Sequence, residues 1–262
     1  MPVSLPIEAQ LPPHVAMALW RGHALGQHDA PVWPSGHAEL DALLPGAGWP
    51  GQSLTEILQP PGLHAEWRLL MPVLRACVQQ GLIIMLINPP HEPHAVGLRQ
   101  AGLAEHHWLR VTVSTDLEAL WSVEQVLKAG ANTAVVAWMP HLHGAAVRRL
   151  QSCAARHPGP VFLFRPDATA VQPSAAPLRV TLMVDAATQE VQVQVLKRRG
   201  PVQQIPLVLM NAWPPLVRPL VERPLSRAMS TLPSRAATPN DHVALDRTSA
   251  IRQPAQHGVS LA

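Results

Sequence analysis

Three short runs in this chain are apolar at nearly every position: Leu82 to Ile87, Thr133 to Met139 and Pro160 to Phe164. A strand with one wet face alternates apolar and polar residues, so a run without alternation marks a strand covered on both faces. Such strands belong to parallel sheets, whose connections must cross over the sheet and usually do so as helices. The intervening sequence supplies those helices. Leu69, Leu70, Val73, Leu74, Cys77 and Val78 recur at helical spacing up to Gly81, with Pro72 either kinking the helix or marking a late start. Thr115 and Glu118 have capping-box spacing at the head of a helix from Asp116 to Lys128, closed by Gly130. Gly144 to Arg156 makes a further helix, and Ser53 to Leu58 and Trp108 to Val113 are further strands. Strand and helix in alternation predict an α/β fold with a mainly parallel sheet flanked by helices.

After Phe164 the pattern changes. Leu178 to Val184 and Glu190 to Leu196 are strands with no helix between them, and Val191, Val193 and Val195 alternate with Gln192 and Gln194. That is a half-buried antiparallel edge, to which Ile205 to Leu209 adds one more strand. Ahead of the core, Val15 to Leu25 has helical spacing, and Ser35 is placed to cap a short helix carrying Glu39 and Asp41. From Asn211 onward periodicity gives way to Pro, Ser, Thr and Arg, a composition that predicts a disordered tail. Three parts follow: residues 1–34 as an N-terminal helical segment, 35–210 as the core, and 211–262 as a flexible tail.

Charge sharpens this division. The net charge of +3 equals the surplus of Arg218, Arg223, Arg227, Arg235, Arg247 and Arg252 over Glu222, Asp241 and Asp246, so the tail carries the electrostatic pull on an acidic partner. No apolar run is long enough to cross a bilayer and no secretory leader is expected, so the sequence predicts a cytoplasmic protein with no membrane partner. Cys77 and Cys153 both fall in predicted helices and read as buried reduced thiols. His91 with His94, His106 with His107, and His141 with His143 read as loop histidines, since neither cysteine has zinc-motif spacing near them; no metal is expected.

The stretch from Leu40-Asp41 through Gly46-Ala47-Gly48-Trp49-Pro50-Gly51 to Ser53-Leu54-Thr55-Glu56-Ile57 resembles the entry to a RecA-type core. That resemblance puts the phosphate loop at Gln59, Pro60, Pro61, Gly62, Leu63, His64, Ala65 and Glu66. A working loop needs glycines so that backbone N–H groups can wrap the phosphates, a lysine to neutralise them and a hydroxyl for magnesium. Here Gln59 and His64 stand at the glycine positions, Ala65 at the lysine and Glu66 at the hydroxyl. Ala137 replaces the aspartate of the magnesium strand, and Pro90 occupies the place of the carboxylate that activates water. The resemblance thus implies no catalytic residues, no cofactor and no enzyme activity.

Leu196-Lys197-Arg198-Arg199-Gly200-Pro201 resembles the basic motif late in RecA cores, which implies that Lys197 and Arg199 reach a neighbouring subunit. With no nucleotide to meet, Lys197, Arg198 and Arg199 become candidate contacts for DNA or a partner, joined by Arg218, Arg223 and Arg227 of the tail; a solvated edge is the plainer alternative. Leu19-Trp20-Arg21-Gly22, Pro45 to Pro50, Val135 to Pro140, Arg148-Arg149-Leu150-Gln151 and Phe162 to Pro166 together resemble the ImuA family, in that family's order. What this implies is a non-catalytic accessory factor of SOS-induced mutagenic translesion synthesis. Its partners would be an ImuB-like inactive Y-family polymerase and an error-prone C-family DNA polymerase, with DNA, RecA and a second copy of the chain as further contacts. Two alternatives stand beside it: a SulA-like inhibitor of cell division, and a DNA-stimulated RecA-like ATPase with an atypical site. At the sheet's rim, Trp138 reads either as a surface for stacking a base or as packing beneath a loop.

Overall fold

A computed structural model describes residues 30–200 and 205–209. The N-terminal helix expected at Val15 to Leu25 and the tail from Asn211, including Arg218, Arg223 and Arg227, lie outside the described residues. The chain enters through a short strand β1 (Val32–Trp33), a four-residue helix α1 (Ala38–Asp41) and β2 (Trp49–Pro50), then β3 (Leu54–Gln59). It continues through α2 (Glu66–Gln79), β4 (Ile83–Ile87), α3 (Ala95–Gln100), β5 (Trp108–Val111), α4 (Asp116–Lys128), β6 (Thr133–Trp138), α5 (Gly144–Ala154) and β7 (Val161–Pro166). A 3-10 turn (Asp167–Val171) leads to β8 (Leu178–Val184), β9 (Val191–Lys197) and β10 (Leu207–Leu209).

The main sheet has eight strands in the order β10-β9-β8-β3-β7-β6-β4-β5. From β8 to β5 every neighbouring pair is parallel, and β9 and β10 are antiparallel additions at one edge. The chain moves outward from β3 to β4 and β5, then turns back to β6 and β7. Right-handed crossovers therefore put the two sets of helices on opposite faces. Leu69, Leu70, Val73, Leu74 and Cys77 of α2 share one buried cluster with Leu98 of α3, while α4 and α5 supply Leu120, Val123, Val147 and Leu150 to the other. The apolar runs are covered on both faces because a layer of helices lies on each.

Some sequence expectations need adjustment. Helix α2 begins at Glu66 and runs through Pro72, because the burial of Leu69, Leu70, Val73, Leu74 and Cys77 outweighs the one backbone bond that proline removes. Ser35 does not cap α1: its hydroxyl accepts the His37 N–H at 3.1 Å in a local turn, and His37 precedes the helix without a side-chain cap. The box at Thr115 and Glu118 forms as expected. Cys77 is buried, with its thiol pushed up to about 12 by desolvation, and Cys153 is half-buried; both are free. No helix among the described residues is long and apolar enough to cross a membrane.

The small sheet of β1 and β2 seals the amino ends of the strands. Trp33 donates its indole N–H to the Pro158 carbonyl at 3.2 Å, and Gln52 N–H bonds to His157 O at 2.8 Å. His157 is buried and donates from Nε2 to Thr133 O at 2.7 Å. Gly159 has to be glycine, since a Cβ there would sit 1.9 Å from the Thr133 oxygen.

The centre of the sheet is clamped by charge. Glu56 on β3 is fully buried, and its two carboxylate oxygens each meet an arginine at 2.5 Å: Oε1 takes Arg165 Nη1 of β7 and Oε2 takes Arg179 Nε of β8. Arg165 also donates to Leu142 O at 2.6 Å, and Arg179 donates to the carbonyls of Thr169, Ala170 and Gln172. One side-chain cluster thus joins three adjacent strands and fastens the 3-10 turn over them. Removing the acid would leave two buried guanidinium groups without their counter-charge. Glu56→Ala should lower unfolding stability by about 3–5 kcal/mol, read in urea as a lower midpoint with unchanged slope; a loss below about 1 kcal/mol would show that the cluster is peripheral to stability.

Candidate functional site

The eight residues from Gln59 to Glu66 connect β3 to α2 at the carboxyl edge of the parallel sheet, where open α/β sheets bind ligands. Pro60 to Leu63 form a tight turn in which Leu63 N–H bonds to Pro60 O at 3.1 Å. Pro61 sets the first corner, and Gly62, at φ +80, supplies the left-handed second corner of a type II turn. Gln59 is buried, and its Nε2 donates to Leu63 O at 3.0 Å, so its side chain closes the loop from within. A phosphate cradle needs several backbone N–H groups converging on one point. Here Pro60 and Pro61 have none, and the Leu63 N–H is spent on the turn.

Beyond the turn, His64 meets His91 from the loop after β4, with Nε2 to Nε2 at 2.9 Å and the rings nearly perpendicular. Glu66, the first residue of α2, is buried, and desolvation pushes its carboxyl above the ordinary glutamate value, opposed by a backbone hydrogen bond and by weaker attractions to His64, Gln59 and His91. Ala65 and Glu66 thus put neither a cation nor a hydroxyl where the resemblance looks for them.

The loop forms one wall of an open pocket of about 370 Å³. Asn88 and Pro90 after β4, Asp116 at the head of α4, Trp138 and Pro140 at the end of β6, and Phe164, Arg165 and Pro166 at the end of β7 complete it. Trp138 stacks on Phe164 at 5.3 Å with the planes 13° apart, so its ring is packed on one side and lines the pocket. Pro90 lines the pocket, whereas Ala137 is buried in the core on the α4 and α5 side. Arg165 is engaged by Glu56, which leaves Asp116 as the carboxylate of the pocket without an arginine beside it. Gln59 Oε1, Glu66 Oε2 and Trp138 Nε1 are buried and have no hydrogen-bond partner among the described residues.

The basic motif lies at the other end of the sheet. Because β9 runs antiparallel to β8, Lys197 emerges level with Arg179, at the amino edge. Lys197 Nζ donates to Ser174 O at 2.7 Å and Arg198 to Leu43 O, while Arg199 lines a shallow depression with Pro45, Gly46 and Ser53. The structure therefore does not bring the Gln59 to Glu66 loop and the basic motif together within one chain. Of the histidines, His91 meets His64, His94 caps α3 by accepting the Gly97 N–H at 3.2 Å, and the neighbouring rings of His106 and His107 lie 4.0 Å apart. Among the described residues no group of three or more His, Cys, Asp and Glu side chains is arranged to hold a metal ion. Arg165 and Arg179 were not sequence candidates. Their signal is one acid and two bases inside strands that are otherwise uncharged and mostly apolar, a pattern that favours mutual pairing.

Comparison with known proteins bears on this same edge. The family model described as "Cell division inhibitor SulA" matches residues 58–159. The cell division inhibitor SulA of Edwardsiella piscicida is 28% identical over 109 residues, covering 42% of this chain and 65% of the relative. SulA of Photorhabdus laumondii is 24% identical over 116 residues, covering 44% and 66% respectively. The chain thus spans just under two thirds of the length of these relatives. The family match includes the Gln59 to Glu66 loop and most of the pocket, and stops before β7, β8 and β9.

Since burial raises the Glu66 pKa, the folded protein holds that proton more tightly than the unfolded chain. Stability from this group is fully present below the unfolded value of 4.5 and is lost as pH rises through the folded value. Glu66→Gln should therefore raise the melting temperature at neutral pH, with the gain shrinking as pH falls toward 4.5. Thermal melts across this range check it, and a variant that is less stable at every pH would show that ionised Glu66 is held by compensating contacts.

Proposed function

We propose that this chain is a non-catalytic binding protein of the DNA-damage response, acting as an ImuA-like accessory factor in SOS-induced mutagenic translesion synthesis. The observation that carries the proposal is the Gln59-closed proline turn at the sheet edge where a RecA-type core would hold its triphosphate. A loop in which Pro60 and Pro61 have no N–H and the Leu63 N–H is spent on the turn fits a scaffold whose work is contact with other proteins. A parallel sheet with β3 at its centre, helices on both faces and an antiparallel edge supports a RecA-like core. The described chain also continues past the SulA-matched span into β8 and β9, which carry the Leu196 to Gly200 motif that resembles ImuA proteins. The partners on this reading are an ImuB-like inactive polymerase relative and an error-prone C-family polymerase. Lys197 and Arg198 lend part of their charge to carbonyls of their own chain, so Arg199 is the stronger candidate for contact with DNA or a neighbouring subunit.

The comparisons favour a second reading, a SulA-like inhibitor of cell division. It needs only the matched span and an equally silent carboxyl edge. Co-purification separates the two: tagged full-length chain is challenged in parallel with an ImuB-type protein and with the tubulin-like division protein. Retention of ImuB alone supports the accessory role. Retention of the division protein with loss of its GTPase activity replaces that role with the inhibitor reading.

A further inference from the structure

The carboxyl-edge pocket has the chemistry of a site for a ligand other than a nucleotide. Its volume of about 370 Å³ falls in the range of small-ligand pockets, roughly 300–1,000 Å³. One wall is the Trp138 and Phe164 stack, and the rim is set by prolines, which bring apolar surface and no N–H. Three buried atoms of lining residues are left without partners: the Trp138 indole N–H and Arg165 Nε, which can only donate, and Gln59 Oε1, which can only accept. A buried polar atom with no partner costs free energy, and a donor and an acceptor in one pocket are both satisfied by a group that offers a carbonyl and an N–H. The backbone amides of a peptide offer that pair. Charge narrows the choice further. Arg165 is held beneath the wall by Glu56 and the Leu142 carbonyl, whereas Asp116 at the rim has no arginine beside it and favours a basic neighbour.

We propose that this pocket binds a short extended peptide segment of a partner, apolar where it meets Trp138 and uncharged or basic beside Asp116. The site stands on its own chemistry, whichever cellular role the chain has, and its test uses the purified full-length chain without any partner protein. The probes are three acetylated tripeptide amides, Ala-Pro-Leu, Ala-Pro-Arg and Ala-Pro-Glu, with adenosine as the competing class, each followed by saturation-transfer NMR. Binding in the order Arg above Leu above Glu is expected. Trp138→Phe keeps the stack and removes the indole donor, and should weaken the peptides by about three- to tenfold. Asp116→Asn should erase the preference for Arg over Leu while leaving the Leu peptide unchanged, a readout that survives even if the tryptophan variant folds poorly. The proposal is overturned if no peptide binds, if Glu binds as well as Arg, or if adenosine binds more tightly than all three.

Discussion

Glu56 sits at zero exposure in the middle of β3, between two arginines that come from the strands on either side. A carboxylate there is tolerable only because both oxygens are paired, and the guanidinium groups because Glu56 and several backbone carbonyls accept most of their donors. The cluster therefore works as a unit, and its geometry fixes more than the sheet. Arg179 holds the 3-10 turn through the carbonyls of Thr169, Ala170 and Gln172, and Arg165 holds the loop after β6 through Leu142. Both segments border the carboxyl edge, so the shape of the pocket depends on a charge balance made beneath it.

The same balance explains what the pocket offers. Arg165 reaches its wall already engaged by Glu56, the loop after β3 is closed by Gln59, and the rim prolines have no N–H to donate. The result is a cleft with apolar walls, a stacked tryptophan and one rim carboxylate, placed where the topology of an open parallel sheet leaves a crevice. On the proposed role, that cleft is a contact surface.

How far this was legible follows from which interactions are local. The apolar runs at Leu82, Thr133 and Pro160 announce doubly covered strands because burial on both faces leaves no room for alternation. The capping box at Thr115 was readable because its partners are three residues apart. Contacts between distant loops were not: His64 and His91 come from turns after different strands, and nothing in their spacing links them. The pairing of Val32-Trp33 with Trp49-Pro50 was hidden for the same reason, with prolines in and beside both strands obscuring them. Glu56, Arg165 and Arg179 were visible singly, but only the strand order shows that β7 and β8 flank β3 and bring the three together. The basic motif at Lys197 was visible too, but its place at the amino edge follows from the antiparallel direction of β9.

The central claim is that the carboxyl edge holds no nucleotide, and thermal melting of the full-length chain with and without ATP and magnesium tests it most directly. A ligand that binds only the folded state raises the melting temperature, by an amount worth about 2.7 kcal/mol at a hundredfold excess over its dissociation constant. No shift is expected at millimolar ATP. A clear upward shift, abolished by changing the Gln59 to Glu66 loop, would show that this edge binds nucleotide and would contradict the account.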